Sequence, residues 1–291
     1  MLKDYYLLCV YGCMKAGNGK IILEDDQIED LFVSVKRRYG YDFTGYSEAS
    51  IKRRVQKFIE TTEIQSADVL KDRLLEDGAF FTFFLDEITV NVTEMFRDPL
   101  FFASLKKNVF PLLKTYPFIK IWDAGCASGE ELYSLAILLD EEELYGKSRI
   151  YATDISQRVL EKAMDGIYPI DLMKEYTGNY IHAGGKKSFS EYYTAMYGNA
   201  IFHSRLKKNV MFSAHNLAVD ESFNEFNLIV CRNVLIYFNR QLQERVIELF
   251  LKSLPVFGFL ALGNKETLSF SVFKDHFEEI DRLQKIYRRI I

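Results

Sequence analysis

Proline is scarce in this chain, five residues in 291, and none precedes Pro99. The first ninety residues therefore carry no ring that would break a helix. Cysteine is sparse as well: Cys9, Cys13, Cys126 and Cys231 make no dense disulfide framework, so reduced thiols in a cytoplasmic setting are expected. The four histidines, His182, His203, His215 and His276, are scattered, each reads as structural, and no metal site is assigned. Basic residues are not in excess, and the net charge of −4 argues against a nucleic-acid partner. No apolar run approaches the roughly 20 residues of a membrane-spanning helix, so no membrane insertion is expected. The apolar core of the N-terminal "YYLLCVYGC" is short, Asp4 flanks it, and no small-residue cleavage site follows, which speaks against a signal peptide. The terminal "YRRII" holds no lipidation or sorting signal.

What is present is apolar and aromatic, 48% and 15% of the chain, which indicates a globular protein with room for two domains. Residues 1–90 read as a small helical domain. Ile28, Leu31, Phe32 and Val35 recur at helical spacing before Gly40, a suitable C-cap. Ser47 is a plausible N-cap for a helix over 47–60 whose apolar face is Ile51, Val55, Phe58 and Ile59. Its other face carries Lys52, Arg53, Arg54 and Lys57. A third helix is expected over 66–77, stopped by Gly78, and "FFTFFLDEI" reads as buried helix. After Pro99 strand-like runs alternate with helical ones: "FIKIWDAG", "SRIYATDI", "NVMFSAHN", "FNLIVCRN" and "GFLALG". Several are continuously apolar, as in a parallel sheet covered on both faces, so residues 91–291 read as a doubly wound α/β domain. Residues 171–205 look like an insertion, a small antiparallel ribbon, and the end of the chain reads as a closing hairpin.

The stretch "IWDAGCASGEELYSLAILL" places Gly125 and Gly129 at the first strand–helix turn, where ligands of such sheets bind. Bare backbone there would let a ligand approach the unpaired N–H groups of the helix start. The dinucleotide fingerprint fails because position 127 is Ala, and the phosphate loop fails because Gly129 is followed by Glu130 and Glu131. Carboxylates suit a ligand with positive charge or with hydroxyl and ammonium donors. Asp154 ends the second strand, where a carboxylate can take both hydroxyls of a ribose. Taken alone, the glycines also fit a ligand-free tight turn, and Asp154 also fits a helix N-cap.

The spacing D-x-G-x-x-x-G after an apolar strand resembles the S-adenosylmethionine-binding turn of class I methyltransferases. With "GYDFTGYSEASIKRRVQKFI", "ITVNVTEMFRDPLFF", "VMFSAHNL" and "FNLIVCRNVLIYF" in order, the chain from about Asp26 onward resembles the CheR family, the chemotaxis receptor glutamate O-methyltransferases. The resemblance implies a Rossmann-like class I methyltransferase domain, an all-α N-terminal domain that docks on receptors, and a small inserted β-subdomain. It implies S-adenosylmethionine as cofactor, with S-adenosylhomocysteine as product. Asn91, Thr93 and Arg97 would close over the cofactor, Gly125 would form its turn, and Glu130 and Asp154 would hold its polar groups. Asn216 and Leu217 would lie at the adenine, with Asn233 and Val234 completing the pocket. Arg97 and Tyr237 would lie nearest the transfer centre. Met95 and Leu132 depart from the family's Phe and Pro but stay apolar. In some members the β-subdomain binds a tethering peptide, yet 171–205 matches too loosely here to expect that.

Arg53, Arg54 and Lys57 would steer onto glutamate-rich cytoplasmic receptor helices. A cytoplasmic monomer is expected. Methylation of a different carboxylate and a silent cofactor-binding scaffold are the alternatives. An amine-directed enzyme is disfavoured because "CRNVLIY" stands where an N-P-P-Y-like segment would be needed.

Overall fold

A computed structural model describes residues 23–62, 64–89 and 92–291; Asn91, Cys9 and Cys13 lie outside them. Among the described residues four helices form the N-terminal unit: α1 (Asp25–Tyr39), α2 (Glu48–Thr62), α3 (Ala67–Glu76) and α4 (Gly78–Ile88). Their apolar stripes close on one core that includes Phe32, Val35, Val55, Phe58, Leu70 and Phe84. Gly78 opens α4 as well as following α3, because the Asp77 side chain accepts from the N–H groups of Ala79 and Phe80. Among the described residues no helix is long and apolar enough to cross a membrane.

The second unit begins with two short helices, α5 (Pro99–Ser104) and α6 (Phe110–Leu113), joined by a π turn. The strands are β1 (Ile119–Ala124), β2 (Ser148–Asp154), β3 (Ile167–Pro169), β4 (Tyr193–Met196), β5 (Asn199–Phe202), β6 (Val210–Ala214), β7 (Leu228–Cys231), β8 (Phe259–Leu262), β9 (Phe277–Asp281) and β10 (Ile286–Arg289). Seven of them form one sheet in the order β6-β2-β1-β7-β8-β10-β9. The first five are mutually parallel, and the closing hairpin adds β10 and β9 antiparallel. The continuous apolar runs have a direct cause. In β1, Ile119 and Ile121 enter the core on one face while Trp122 and Ala124 enter the core on the other. Helix α7 (Glu130–Glu141) covers the first face and α10 (Arg240–Lys252) the second. Strand order reverses between β1 and β7, which opens a crevice at their carboxyl ends.

The insertion departs from a simple ribbon. Helix α8 (Gln157–Asp165) leads into β3, and helix α9 (Met173–His182) precedes the β4–β5 hairpin, giving a three-stranded sheet in the order β3-β5-β4. One buried carboxylate ties this subdomain to α7. Glu141 Oε1 accepts from the hydroxyls of Tyr180 and Tyr192, the latter at 2.8 Å, and from the Lys186 N–H at 3.0 Å.

The helical unit is sewn to the sheet on both sides of the crevice. Ser47 N–H donates to Tyr237 O and Asn239 N–H to Gly45 O, both at 2.8 Å, while the rings of Tyr46 and Phe238 meet edge to face at 5.0 Å. Further along, Ser156 Oγ at 2.6 Å and Arg158 at 3.1 Å both bind Asp86.

Glu141→Ala strands two buried tyrosine hydroxyls and one N–H. A loss of roughly 2–6 kcal/mol is expected, since each of the two orphaned buried hydroxyls costs about 1–3 kcal/mol. Amide exchange should rise in 173–202 well before it rises in β1. A chemical melt shifted by under about 0.5 kcal/mol would contradict the role given to Glu141.

Candidate active site

The crevice at the strand reversal holds a cleft of about 930 Å³, its open mouth included. Its wall gathers residues from six places: Tyr46 and Arg54 from the helical unit, Thr93 and Arg97 from the linker, Gly125 to Ala127 after β1, Asp154 at the end of β2, Asn216 and Leu217 beyond β6, and Asn233, Val234 and Tyr237 beyond β7. Every expected site residue of the α/β domain that is described lines this one cleft, except Glu130.

The glycine turn has a reason other than ligand approach. Gly125 has φ +84°, and a Cβ there would sit 2.5 Å from Val234 Cγ2. Gly129 has φ +95°, and its Cβ would meet Ala163 Cβ at 2.8 Å. Both positions are bare because the backbone is left-handed and a neighbour already fills the space.

The floor is acidic. Asp154 is buried, and its oxygens accept from the N–H of Ala127 at 2.9 Å and of Ser156 at 3.1 Å. Burial raises its pKa against the pull of those backbone donors. Asp123, at the end of β1, is fully buried, and neither carboxylate oxygen has a partner. Burial, then the charges of Glu131 and Asp154, push its pKa well up, and only Arg232 opposes them. Glu131 lines the cleft and accepts from Arg232 Nη1 at 2.7 Å. Glu130, the residue expected here, turns elsewhere. It takes the Ser128 hydroxyl at 2.8 Å, lies beside Tyr168 and Tyr176, and is pushed up to about 7 by burial. The correction is one of helical phase, since adjacent residues on a helix diverge by about 100°.

Cations and a phenol share the same cleft. Arg97 donates to Val92 O at 3.4 Å. Its neighbour Asp98 is bound to Arg232 at 2.6 Å, leaving the Arg97–Asp98 bridge that sequence adjacency invites unmade. Arg54 was expected on a solvated docking face with Arg53 and Lys57. It points inward instead, donates to Ile88 O at 2.7 Å, and lies 4.7 Å over the Tyr237 ring. Arg53 and Lys57 are exposed. His215 lines the cleft, packed edge-on against Trp122 at 5.1 Å with its Nε2 at 3.3 Å from Glu221 O.

Three further residues had no local sequence signal. The Glu266 carboxylate, nearly inaccessible, accepts from the N–H groups of Gly263, Val234 (2.9 Å), Asn233 (3.1 Å) and Ile236 (3.3 Å). It thereby fixes the turn after β7, where Asn233 adopts φ +61°. Arg232 and Tyr46 complete the wall. Cys126 and Cys231 are buried free thiols, and burial pushes both well up.

Comparison with known proteins agrees with this geometry. Residues 91–286 match the S-adenosylmethionine-binding domain of the CheR methyltransferases, and residues 26–89 match that family's all-alpha domain. Cher3 of Pseudomonas putida, named provisionally as a methyltransferase, is 48% identical over 265 residues, covering 91% of this chain and 97% of that protein. A chemotaxis protein methyltransferase of Listeria monocytogenes is 31% identical over 236 residues, 80% of this chain and 87% of that one. One of Borreliella burgdorferi is 29% identical over 270 residues, 86% and 91% of the two chains. The chain belongs to the CheR methyltransferase family, with an all-α domain ahead of a Rossmann-like domain for S-adenosylmethionine-dependent methyl transfer.

Proposed function

We propose that this enzyme methylates glutamate side chains on the cytoplasmic helices of chemotaxis receptors, giving glutamyl methyl esters. The observation that carries the reading is the division of charge within one cleft: acids Glu131 and Asp154 on one part of its wall, Arg54, Arg97 and Tyr237 on another. The names of the Listeria and Borreliella relatives support the chemotaxis setting.

The residues present fit S-adenosylmethionine. Asp154 is a buried carboxylate facing the cleft, pre-oriented by two backbone donors and suited to a ribose diol. Glu131 and Asp154 in the cleft wall offer acceptors to a cofactor that carries a sulfonium, an ammonium and a ribose diol. When bound, that cofactor supplies a methyl group activated by the sulfonium. Thr93 from the linker and Gly125, Asn233 and Val234 from the two turns would hold its amino-acid portion, and Asn216 with Leu217 its adenine. Asn91, outside the described residues, would join Thr93.

A glutamate carboxylate is ionised near pH 7, so it accepts a methyl without a general base. The cleft supplies what that reaction needs. Arg97 and Tyr237, which line the same cleft, orient the incoming carboxylate, and Arg54 lies over the Tyr237 ring. As the carboxylate loses its charge in the transfer, exclusion of water by the Tyr46–Phe238 seam favours the step. Outside the cleft, Arg53 and Lys57 on α2 offer the charge that would draw in an acidic helix, with the helical unit as the docking domain.

Membranes containing the organism's chemoreceptors, incubated with this enzyme and tritiated S-adenosylmethionine, should carry label on receptor bands that mild base releases as methanol. Base-stable label, or cofactor binding without label on any receptor, would point to a different acceptor.

The placement of Glu130 gives a second prediction. Its pKa is raised in the folded state to about 7, so the native state holds more protons than the unfolded one between roughly 4.5 and 7. Stability from this group is therefore lost as pH rises through that window. Glu130→Gln should remove the loss, gaining about 1–3 kcal/mol over wild type at pH 8 compared with pH 4.5. Its affinity for S-adenosylhomocysteine should stay within about threefold. A binding loss beyond about tenfold would place Glu130 at the cofactor after all.

A further inference from the structure

Arg97 sits between two residues in left-handed backbone, Phe96 at φ +54° and Asp98 at φ +57°. Neither is glycine, so the surrounding structure must hold this segment in place. Phe96 is held by a fully buried ring, edge to face with Phe102 and Tyr180 at 5.2 Å each, and by its N–H donating to Ser134 Oγ at 2.8 Å. On the other side the only side-chain hold among the described contacts of Asp98 is its carboxylate on Arg232. Asp98 stands at the N-cap of α5 yet makes no side-chain cap hydrogen bond. Its charge goes to Arg232 instead, at 2.6 Å.

Arg232 is itself immobile. Its side chain is 1% exposed, Nη1 binds Glu131 at 2.7 Å, and its guanidinium lies 4.1 Å from the Phe101 ring centroid. The pair therefore joins the linker to the end of β7 and the first turn of α7. Among the described residues the Arg97 side chain makes one long hydrogen bond, to Val92 O at 3.4 Å, and feels the charge of Glu94 on the same linker, so its aim follows the backbone of that segment.

We propose that Asp98 and Arg232 are positioning residues: the ion pair locks the linker in its left-handed course and so directs the Arg97 guanidinium into the cleft. The proposal rests on the assignment of Arg97 to the transfer centre.

Asp98→Asn in the full chain is the test. Asn tolerates left-handed backbone, and Arg232 keeps Glu131, so no buried charge is left unpaired. Amide exchange at 93–98 should quicken by about tenfold or more while β1 and β7 stay protected. The methylation kcat should fall by about tenfold or more, with the Kd for S-adenosylhomocysteine within about threefold and the melting temperature nearly unchanged. Unchanged linker exchange overturns the latch. Faster exchange with unchanged kcat overturns its positioning role, as does a kcat loss that merely follows a loss of fold or of cofactor affinity. Arg97→Ala, run alongside, separates the two layers. If it leaves the rate intact, the transfer-centre assignment fails, and with it the positioning claim, whereas the exchange result still reports whether the linker is latched.

Discussion

Among the described residues, the buried charged side chains comprise five carboxylates, Asp123, Glu130, Glu141, Asp154 and Glu266, and one guanidinium, Arg232. Burying charge is costly unless partners with good geometry replace water. Arg232 meets that condition with two carboxylates and an aromatic face. It cannot neutralise the whole floor, because Glu131 and Asp98 already take its charge. Asp123 is left with no hydrogen-bond partner and a strongly raised pKa, which favours its neutral form. The cleft wall itself holds two carboxylates, Glu131 and Asp154, and three guanidiniums, Arg54, Arg97 and Arg232, so its charge is divided rather than of one sign. The pairing of Arg232 accounts for the anchorage of the linker beside the cleft.

A second constraint acts from the opposite side. The turn after β7 presents Asn233, Val234 and Tyr237 to the cleft, and its N–H groups would be unsatisfied in so buried a place. Glu266 collects them with one carboxylate. The Val234 side chain then packs where a Cβ on residue 125 would lie, so the two turns are shaped to each other. Such preorganisation matters for a transfer that needs alignment more than proton traffic. The helical unit completes the enclosure, since Tyr46 and Arg54 reach the same wall.

The sheet was legible because its signal is local. Strands buried on both faces read as continuous apolar runs, and the core alternation of β1 shows why. Asp154, Asn216 and Asn233 were legible through motifs in chain order. Other features were not. Glu130 and Glu131 are adjacent, and no local pattern tells which one faces the strand ends. Arg54 lies in a run of basic residues that read as one solvated face, and only the docking of α2 against the Tyr237 turn draws it inward. Arg232 and Asp98 are 134 positions apart, and Glu266 lies about thirty beyond the turn it fixes. Pairings of that range belong to the tertiary fold. Helix α9 was missed because Gly178 and a dense set of tyrosines weaken its periodicity, while burial of Tyr176 and Tyr180 stabilises it.

The central claim is that this cleft receives S-adenosylmethionine with its ribose on Asp154 and its reactive end toward Arg97. A crystal structure with S-adenosylhomocysteine tests it most directly. The account predicts a ribose diol within hydrogen-bond distance of Asp154, the adenine beside Asn216 and Leu217, and the homocysteine portion between the Gly125 turn and the linker. Ribose density away from Asp154, or contacts made by Glu130 in place of Glu131, would contradict it.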